Sequence, residues 1–432
     1  MKKIYLLFLF SLSLLAEAQQ KDTLSLMSYN LLFYRQTTSF CTNSNNSPTD
    51  KDNAMKTIID HSLPDILVVN EMGGGSSVKA FRLLSNALNQ GGRKKYQLAN
   101  SSGVANQSLV NMIYYDSSKL ILEKQATINK DVNNNNLVRL IDLYTLIVKD
   151  TNIALHQDTT RIHVFAAHLK AGSSTNDKNE RADATAAVMA YLDSNRALGN
   201  YIFAGDLNLQ SSSETSFQNL INYKDTALRF FDPVNIPGNW SNDGRFASLH
   251  TQSTHTSGNC HVGGGMDDRF DFILASGEIM NNTENVRYIK NSYQTLGQDG
   301  RRFNQSVISP TNNSVPSAVS QALFDMSDHL PVLLDLEINF PIITSVEKFE
   351  QDFDKIIFEN PNSGQLNISF EGTPPPLKKI EIYDMASNRL ITKSVQNRTS
   401  ISIDISHLPN GIYFLKFTGA QNFQKIRKLV KI

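Results

Sequence analysis

The sequence predicts an α/β domain of two mixed β-sheets packed on each other with helices outside, followed by a small all-β sandwich. Three observations carry this. Apolar strands alternate with amphipathic helices early and dominate later. Chemically able polar residues follow some strands and precede others, so strands that bring them to one rim run in both directions. Beyond Pro341 the pattern changes to short strands at regular spacing.

The 432 residues, 40% hydrophobic and 19% charged, suffice for one large domain and a smaller one. Lys2 and Lys3, an apolar run from Ile4 to Leu15 and the small-x-small site Ala16-Glu17-Ala18 read as a secretory signal peptide over residues 1–18. The run is too short for a membrane anchor, and no other stretch approaches the roughly 20 apolar residues of a transmembrane segment. The mature protein is expected to be exported, soluble and monomeric. Cys41 and Cys260 both lie in polar segments. In an oxidising compartment, one long-range disulfide and two free loop thiols are equally open. Residues 356–432 carry ten Lys/Arg and five Asp/Glu, which leaves residues 19–355 at a net charge of −6. Such a domain lacks the basic field that binds nucleic acid by counterion release. A polyanionic substrate would need local help, most simply from a divalent cation.

In chain order, LSLMSYN is a strand from Leu24 to Asn30. A polar loop over 37–53 leads to a helix marked by Met55, Ile58 and Ile59. The apolar DILVVNEM ends at Asn70 and Glu71. Val78, Phe81, Leu84 and Leu88 mark a second helix stopped by Gly91-Gly92, and the Asn run 133–136 is a loop. RIHVFAAHLK alternates Ile162, Val164 and Ala166 before His168. Ala184, Ala187, Val188, Tyr191 and Leu192 share one face of a third helix. YIFAGDLNLQ is apolar up to Ala204 and then offers Asp206 and Asn208. DDRFDFILAS sets Asp271 near a strand start. MSDHLPVLLDL sets Asp328 and His329 before a strand with Val332, Leu334, Leu336 and Ile338 on one face and Leu333, Asp335 and Glu337 on the other. Residues 341–355 read as a linker. QLNISFE, LKKIEIYD, SISIDISHLPNGIYFLKF and KIRKLVKI, with turns at NPNSG and LPNG, form the sandwich.

The edge residues Asn30, Glu71, His168, Asp206, Asn208, Asp271, Asp328 and His329 are rich in hard oxygen donors. Glu71 and Asp328 suit magnesium, manganese or calcium, with Asn30 assisting. Splitting a phosphodiester also needs a deprotonated water, neutralised phosphoryl oxygens and a protonated leaving oxygen. Asp206 can take the water's proton, Asn208 can hold a phosphate oxygen and His168 can serve the leaving group. Asp271 can orient His329 and keep it protonated near the phosphate. Other signals are weaker. His250, His255, Cys260 and His261 match no standard zinc spacing. The glycines 73–75 and 263–265 read first as turns, and Arg93-Lys94-Lys95 and Arg301-Arg302 as a solvated face that can also contact phosphate.

The motifs SYN, NE, HL, GDLN, RFDFIL and SDHLPV occur in the order seen in the endonuclease/exonuclease/phosphatase family, which the chain resembles over roughly residues 22–340. The resemblance implies a four-layer α/β sandwich, one or two divalent metals, and hydrolysis of a phosphate ester. It also implies metal-site roles for Asn30, Glu71 and Asp328 and catalytic roles for Asp206, Asn208, Asp271 and His329. Three features depart from the family's pattern: Leu32 stands where members often carry an acidic residue, Asn70 stands where Gln is usual, and no acidic partner for His168 is evident. NPNSGQLNISF, LPNGIYFLKF and KIRKLVKI make residues 356–432 similar to the type A sorting domain of the type IX secretion pathway. That likeness implies passage through the outer membrane by the type IX secretion machinery and removal of the tail.

The expectation from sequence is therefore a secreted, metal-dependent phosphodiesterase, a nuclease of low sequence specificity. The alternatives are a phospholipase C-like or sugar-phosphate phosphatase activity, or an inactive surface-binding protein. A lipid enzyme requires an exposed apolar loop, and none stands out in the sequence.

Overall fold

Alternating strands and helices build two mixed sheets in the first of two units; the computed structural model describes residues 21–93, 95–100, 108–150, 159–340, 356–370, 377–395, 400–419 and 424–432. The signal peptide 1–18 and the linker 341–355 read from the sequence lie outside the described residues. The first sheet runs β11 (Val286–Tyr288), β13 (Val332–Asn339), β1 (Lys21–Tyr34), β2 (Ile66–Gly73), β4 (Leu109–Asp116), β3 (Tyr96–Leu98), with β12 (Gln294–Thr295) also on β13. The second runs β5 (Leu120–Lys130), β6 (Asn136–Val148), β7 (Arg161–His168), β8 (Tyr201–Asp206), β10 (Asp271–Ser276), β9 (Phe230–Phe231). The pairs β1–β2 and β7–β8 are parallel and the other pairs antiparallel, so both sheets are mixed.

Side-chain alternation along each strand fixes the layers. Leu24, Leu26, Ile66, Val68 and Leu334 of the first sheet meet Val164, Ile202 and Ile273 of the second. The outer face of the first sheet, with Met27, Tyr29, Leu67 and Val69, packs on α1 (Pro48–Ser62), α2 (Ser77–Leu83) and α6 (Ser317–Met326). The outer face of the second, with Phe165, Phe203 and Phe272, packs on α3 (Thr175–Asn195) and α4 (Thr215–Ile221). A short α5 (Gly277–Asn281) follows β10. The unit is a four-layer α/β sandwich. Each large aliphatic taken fully out of water contributes about 1.5–3 kcal/mol.

Two local expectations are corrected. The polar loop over 37–53 ends at Ser47, whose hydroxyl accepts from the Asp50 amide and caps α1, while Pro48 opens the helix. Lys51 and Asp52 are thus helical and buried. The second helix turns Ala80, Leu83, Leu84, Ala87 and Leu88 inward, leaving Val78 and Phe81 56% and 54% exposed. The two small alanines let this helix and its following π-turn sit close to the sheet, a stripe that large apolar residues alone do not reveal.

In the second unit, β14 (Ile356–Phe358), β15 (Gln365–Phe370) and β18 (Ser400–Asp404) face a sheet of β17 (Arg389–Ser394), β16 (Leu377–Tyr383), β19 (Gly411–Gly419) and β20 (Gln424–Lys431). Leu366, Ile368 and Ile403 from one sheet and Ile380, Leu415 and Phe417 from the other share its core, making a small all-β sandwich.

Register decides what the strand ends present. His168 is level with Asp206 in the β7–β8 pair, and Asp206 with Asp271 in β8–β10. This approach requires Gly205, whose φ is +144° and whose absent Cβ would lie 1.8 Å from the Ala167 carbonyl oxygen. Gly205→Ala is expected to destabilise the protein by about 1–3 kcal/mol or more through backbone overpacking. Thermal unfolding reads this, and a wild-type midpoint would contradict the packing.

Candidate active site

All eight predicted residues lie within one network at the strand ends of the two sheets. Asn30 is where the pairing of β1 with β2 breaks, and the chain then passes through Leu32 and Phe33 at φ of 45° and 48°. That left-handed pair aims successive amides back at the site. The Leu32 N–H donates to Asn30 Oδ1 (2.9 Å) and the Phe33 N–H to Glu71 Oε2 (3.0 Å). Asn30 Nδ2 donates to Glu71 Oε1 (3.2 Å) and Asp206 Oδ2 (3.0 Å). In this arrangement Asn30 orients two carboxylates, and its oxygen accepts one N–H and keeps a second lone pair. Asp328, just before β13, accepts from the Val262 N–H at 2.9 Å.

The second sheet supplies the rest. Asp206 Oδ2 lies 3.3 Å from His168 Nε2 and 3.9 Å from His329 Nε2. His168 Nε2 is also 3.8 Å from Glu71 Oε1, so the acidic neighbours absent from the local sequence come from β2 and β8. The Asn208 N–H donates to Asp206 Oδ1 (3.1 Å), and Asn208 Nδ2 to the Leu169 carbonyl (3.2 Å). Asp271 Oδ2 stands 2.7 Å from His329 Nδ1. Gln252 Nε2 lies 2.8 Å from His329 Nε2 and donates to Asp328 Oδ2 at 3.4 Å. An imidazolium donates at both nitrogens, so a protonated His329 requires this amide to turn its oxygen towards Nε2 or to move aside.

Burial and charge set the protonation states. Burial pulls the His329 imidazolium down, but Asp271, Asp206 and Asp328 together hold its pKa well above the ordinary histidine value. Burial pushes Asp206 up, yet His329, His168 and Arg139 bring its carboxyl below the usual range. Asp328 is raised by burial and by Glu71, against His329, the Val262 amide and Lys51. Among the described residues the buried Asp328 Oδ1 also has no hydrogen-bond partner. Two mutually repelling carboxylates, one with an unpartnered oxygen, fit a hard divalent cation.

Sequence reasoning passed over three polar participants and an apolar rim. Arg139, within β6, lines the 410 Å³ cavity of the site and donates to the Leu169 carbonyl. It also borders a second 410 Å³ cavity that shares Glu71 and His168. Its only sequence signal is one Arg in an alternating apolar strand. Gln252 sits in a loop without pattern. Lys51 is buried beneath the site, donating to the Leu31 and Leu32 carbonyls (2.6 Å each), and burial lowers its pKa to about 7 against the pull of Asp328 and Glu71. Finally, Phe33, Phe40 and Val262 line the cavity, with Phe40 and Val262 52% and 53% exposed, an apolar rim that the sequence had not suggested.

Other candidates are accounted for elsewhere. Cys260 is bonded to Cys41, which removes it from any zinc set. His255 is stacked between His261 and Phe324. No three His, Cys, Asp or Glu side chains among the described residues are grouped to hold a metal ion. Arg302 is buried, with its guanidinium on the Ser306, Pro310 and Thr311 carbonyls and Asp299, so it is not free for phosphate. Arg93 pairs with Asp60 and Lys95 with Asp116, while Lys94 lies outside the described residues.

Residues 356–432 match the family model of the secretion system C-terminal sorting domain. No curated protein matches the chain by sequence. Similar solved structures include an endonuclease/exonuclease/phosphatase family protein from Bacteroides thetaiotaomicron, at 12% identity and a TM-score of 0.46, covering 76% of this chain and 100% of that one. The human Nocturnin catalytic domain with bound sulfate is 15% identical with a TM-score of 0.46, over 74% and 96% of the two chains. An endonuclease/exonuclease/phosphatase from Bacteroides vulgatus is 13% identical with a TM-score of 0.46, over 73% and 99%.

A raised folded-state histidine pKa has a definite sign. The stability it contributes is complete below the unfolded value of about 6.5 and is lost as pH rises through the folded value. NMR titration of the metal-free protein should find His329 still protonated at neutral pH, and Asp271→Asn should lower its pKa. Titration at the ordinary value in the wild type would contradict the pairing.

Proposed function

We propose that the first unit is a divalent-metal-dependent phosphodiester hydrolase acting on nucleic acid, exported by way of its C-terminal unit. The observation that carries this reading is the meeting of an ionised Asp206, a protonated His329 and the opposed carboxylates Glu71 and Asp328 in one cavity. A bound Mg2+, with Mn2+ or Ca2+ as alternatives, would be held by Glu71 and Asp328 and would supply Lewis-acid charge to a phosphoryl oxygen.

The chain's own residues do the remainder. His329, fixed by Asp271 at Nδ1, donates from Nε2 to a phosphoryl oxygen that takes the place of the Gln252 amide. As it engages substrate its pull on Asp206 weakens, which raises the basicity of the carboxylate that accepts a proton from the attacking water. Asn208, at φ 51° beside Asp206, presents its amide to the phosphate. Arg139 meets a flanking phosphate, and His168 serves the leaving oxygen. The exposed Phe40 offers a face on which an unpaired base can stack. The same rim favours a second reading, a phospholipase C-like enzyme whose Phe40 and Val262 meet a lipid surface.

The export reading rests on the match over residues 356–432. It implies passage through the type IX secretion machinery and removal of the tail, and among the described residues no helix is long and apolar enough to cross a membrane. Tyr413 of this unit is buried with its hydroxyl on the Pro409 carbonyl, so it takes no part in an exposed aromatic surface.

The purified protein, given DNA, RNA, sphingomyelin and a chromogenic phosphodiester, should cleave nucleic acid with magnesium and stop when the metal is chelated. Cleavage indifferent to chelator would exclude the metal mechanism, and lipid-only turnover would replace the first reading with the second. Asp206→Ala should lower kcat/KM by about 10²–10⁴-fold, and full activity would refute its role. Deleting residues 356–432 should retain the protein inside the producing cell, as fractionation would show.

A further inference from the structure

The Cys41–Cys260 disulfide joins segments 219 residues apart in sequence and lies beside the site, packed against Leu32 and Phe33. Both of its half-cystines are buried. On the Cys41 side, Leu32 and Phe33 give their amides to Asn30 and Glu71. On the Cys260 side, Val262 gives its amide to Asp328. The two carboxylates read as cation ligands, and Asn30 that orients Glu71, are therefore each held by a main-chain N–H of a segment that packs against the disulfide or adjoins it. The backbone at Leu32 and Phe33 is left-handed, a conformation that non-glycine residues keep only when their surroundings impose it. Among the described residues these loops are also bridged by an exposed hydrogen bond from Asn45 Nδ2 to Asn259 Oδ1, at 2.8 Å.

We propose that this disulfide is a positioning brace for the cation site, so that the oxidised chain binds a divalent metal far more tightly than the reduced one. The inference rests on the reading of Glu71 and Asp328 as cation ligands. Forming the bond releases two thiol protons and passes two electrons to a disulfide of a thiol–disulfide oxidant, which leaves as the dithiol. Metal-dependent activity would then mature with oxidation.

A disulfide closing a long loop also stabilises a fold in general by restricting the unfolded chain, so the test must read the site itself. In the full-length C41S/C260S variant, Mn2+ affinity measured by calorimetry should weaken by about 10–100-fold, the range for loss of groups that orient metal ligands. Hydrogen exchange of the metal-free variant should speed up at the Leu32, Phe33 and Val262 amides before the central strands of either sheet. Activity should recover at high metal concentration. A variant of lower thermal midpoint with unchanged Mn2+ affinity would overturn the brace. If the variant does not fold, the wild type reduced by a dithiol under native conditions, with two thiols titrated, must show the same weakening, and unchanged affinity would again overturn it. Wild-type protein that binds no Mn2+ would overturn the cation site and the brace together. Wild type and variant that bind it equally would overturn the brace alone.

Discussion

Four carboxylates, Glu71, Asp206, Asp271 and Asp328, are drawn together where two sheets meet, and the last three are almost wholly out of water. Isolated charges in such a place would take up protons rather than remain ionised. What surrounds them works against that outcome. Asp271 has His329, Asp206 has two imidazoles and the Asn30 amide, Glu71 has Asn30 and the Phe33 N–H, and Asp328 has the Val262 N–H. Lys51 adds a positive charge from beneath. The residual imbalance, at Glu71 and Asp328, is what a cation would cancel.

The fold creates this crowding through strand direction. Parallel pairing of β7 with β8 brings two C-terminal strand ends level, and antiparallel β10 adds its N-terminal end beside them. The first sheet repeats the scheme, with parallel β1 and β2 and antiparallel β13. Gly205 lets the second sheet close up, while the irregularity after Asn30 frees main-chain amides to turn into the site. Packing thus fixes the positions, and backbone departures from regularity supply the donors.

Much of this was legible because it obeys two periodicities. Apolar strands ending in polar side chains are conspicuous, and the alternation of Val332, Leu334 and Leu336 against Leu333 already assigned the faces of β13 that the cores confirm. The layers and the small sandwich follow from the same signal. What escaped was everything whose meaning is long-range. Lys51 and Asp52 look like ordinary loop residues until α1 carries them inward. Arg139 is one charge in a strand, and its value depends on what β6 runs beside. The choice between paired and free cysteines depended on whether two loops 219 residues apart converge, which neither loop records. Arg302 erred the other way: a doublet suggesting a basic surface is an internal clamp for three carbonyls.

The distribution of charge constrains how a phosphate diester would reach the site. Residues 19–355 carry a net −6, so the long-range field opposes a polyanion, and several of the basic side chains that would offset it are paired with acids or buried. At physiological ionic strength that field decays within about 8 Å, whereas His329, Arg139 and a cation would act at contact distance in a cavity lined by buried side chains, where each is worth more than at the surface. Recognition would then depend on the few phosphates that enter and on what the apolar rim takes beside them, not on tracking a duplex backbone. On the proposed nucleic-acid reading, such a site would favour flexible, locally unpaired strands, whose bases could turn towards Phe40 while one phosphate reaches the floor. A stiff duplex would have to approach against the acidic surface with only one short contact to offset it.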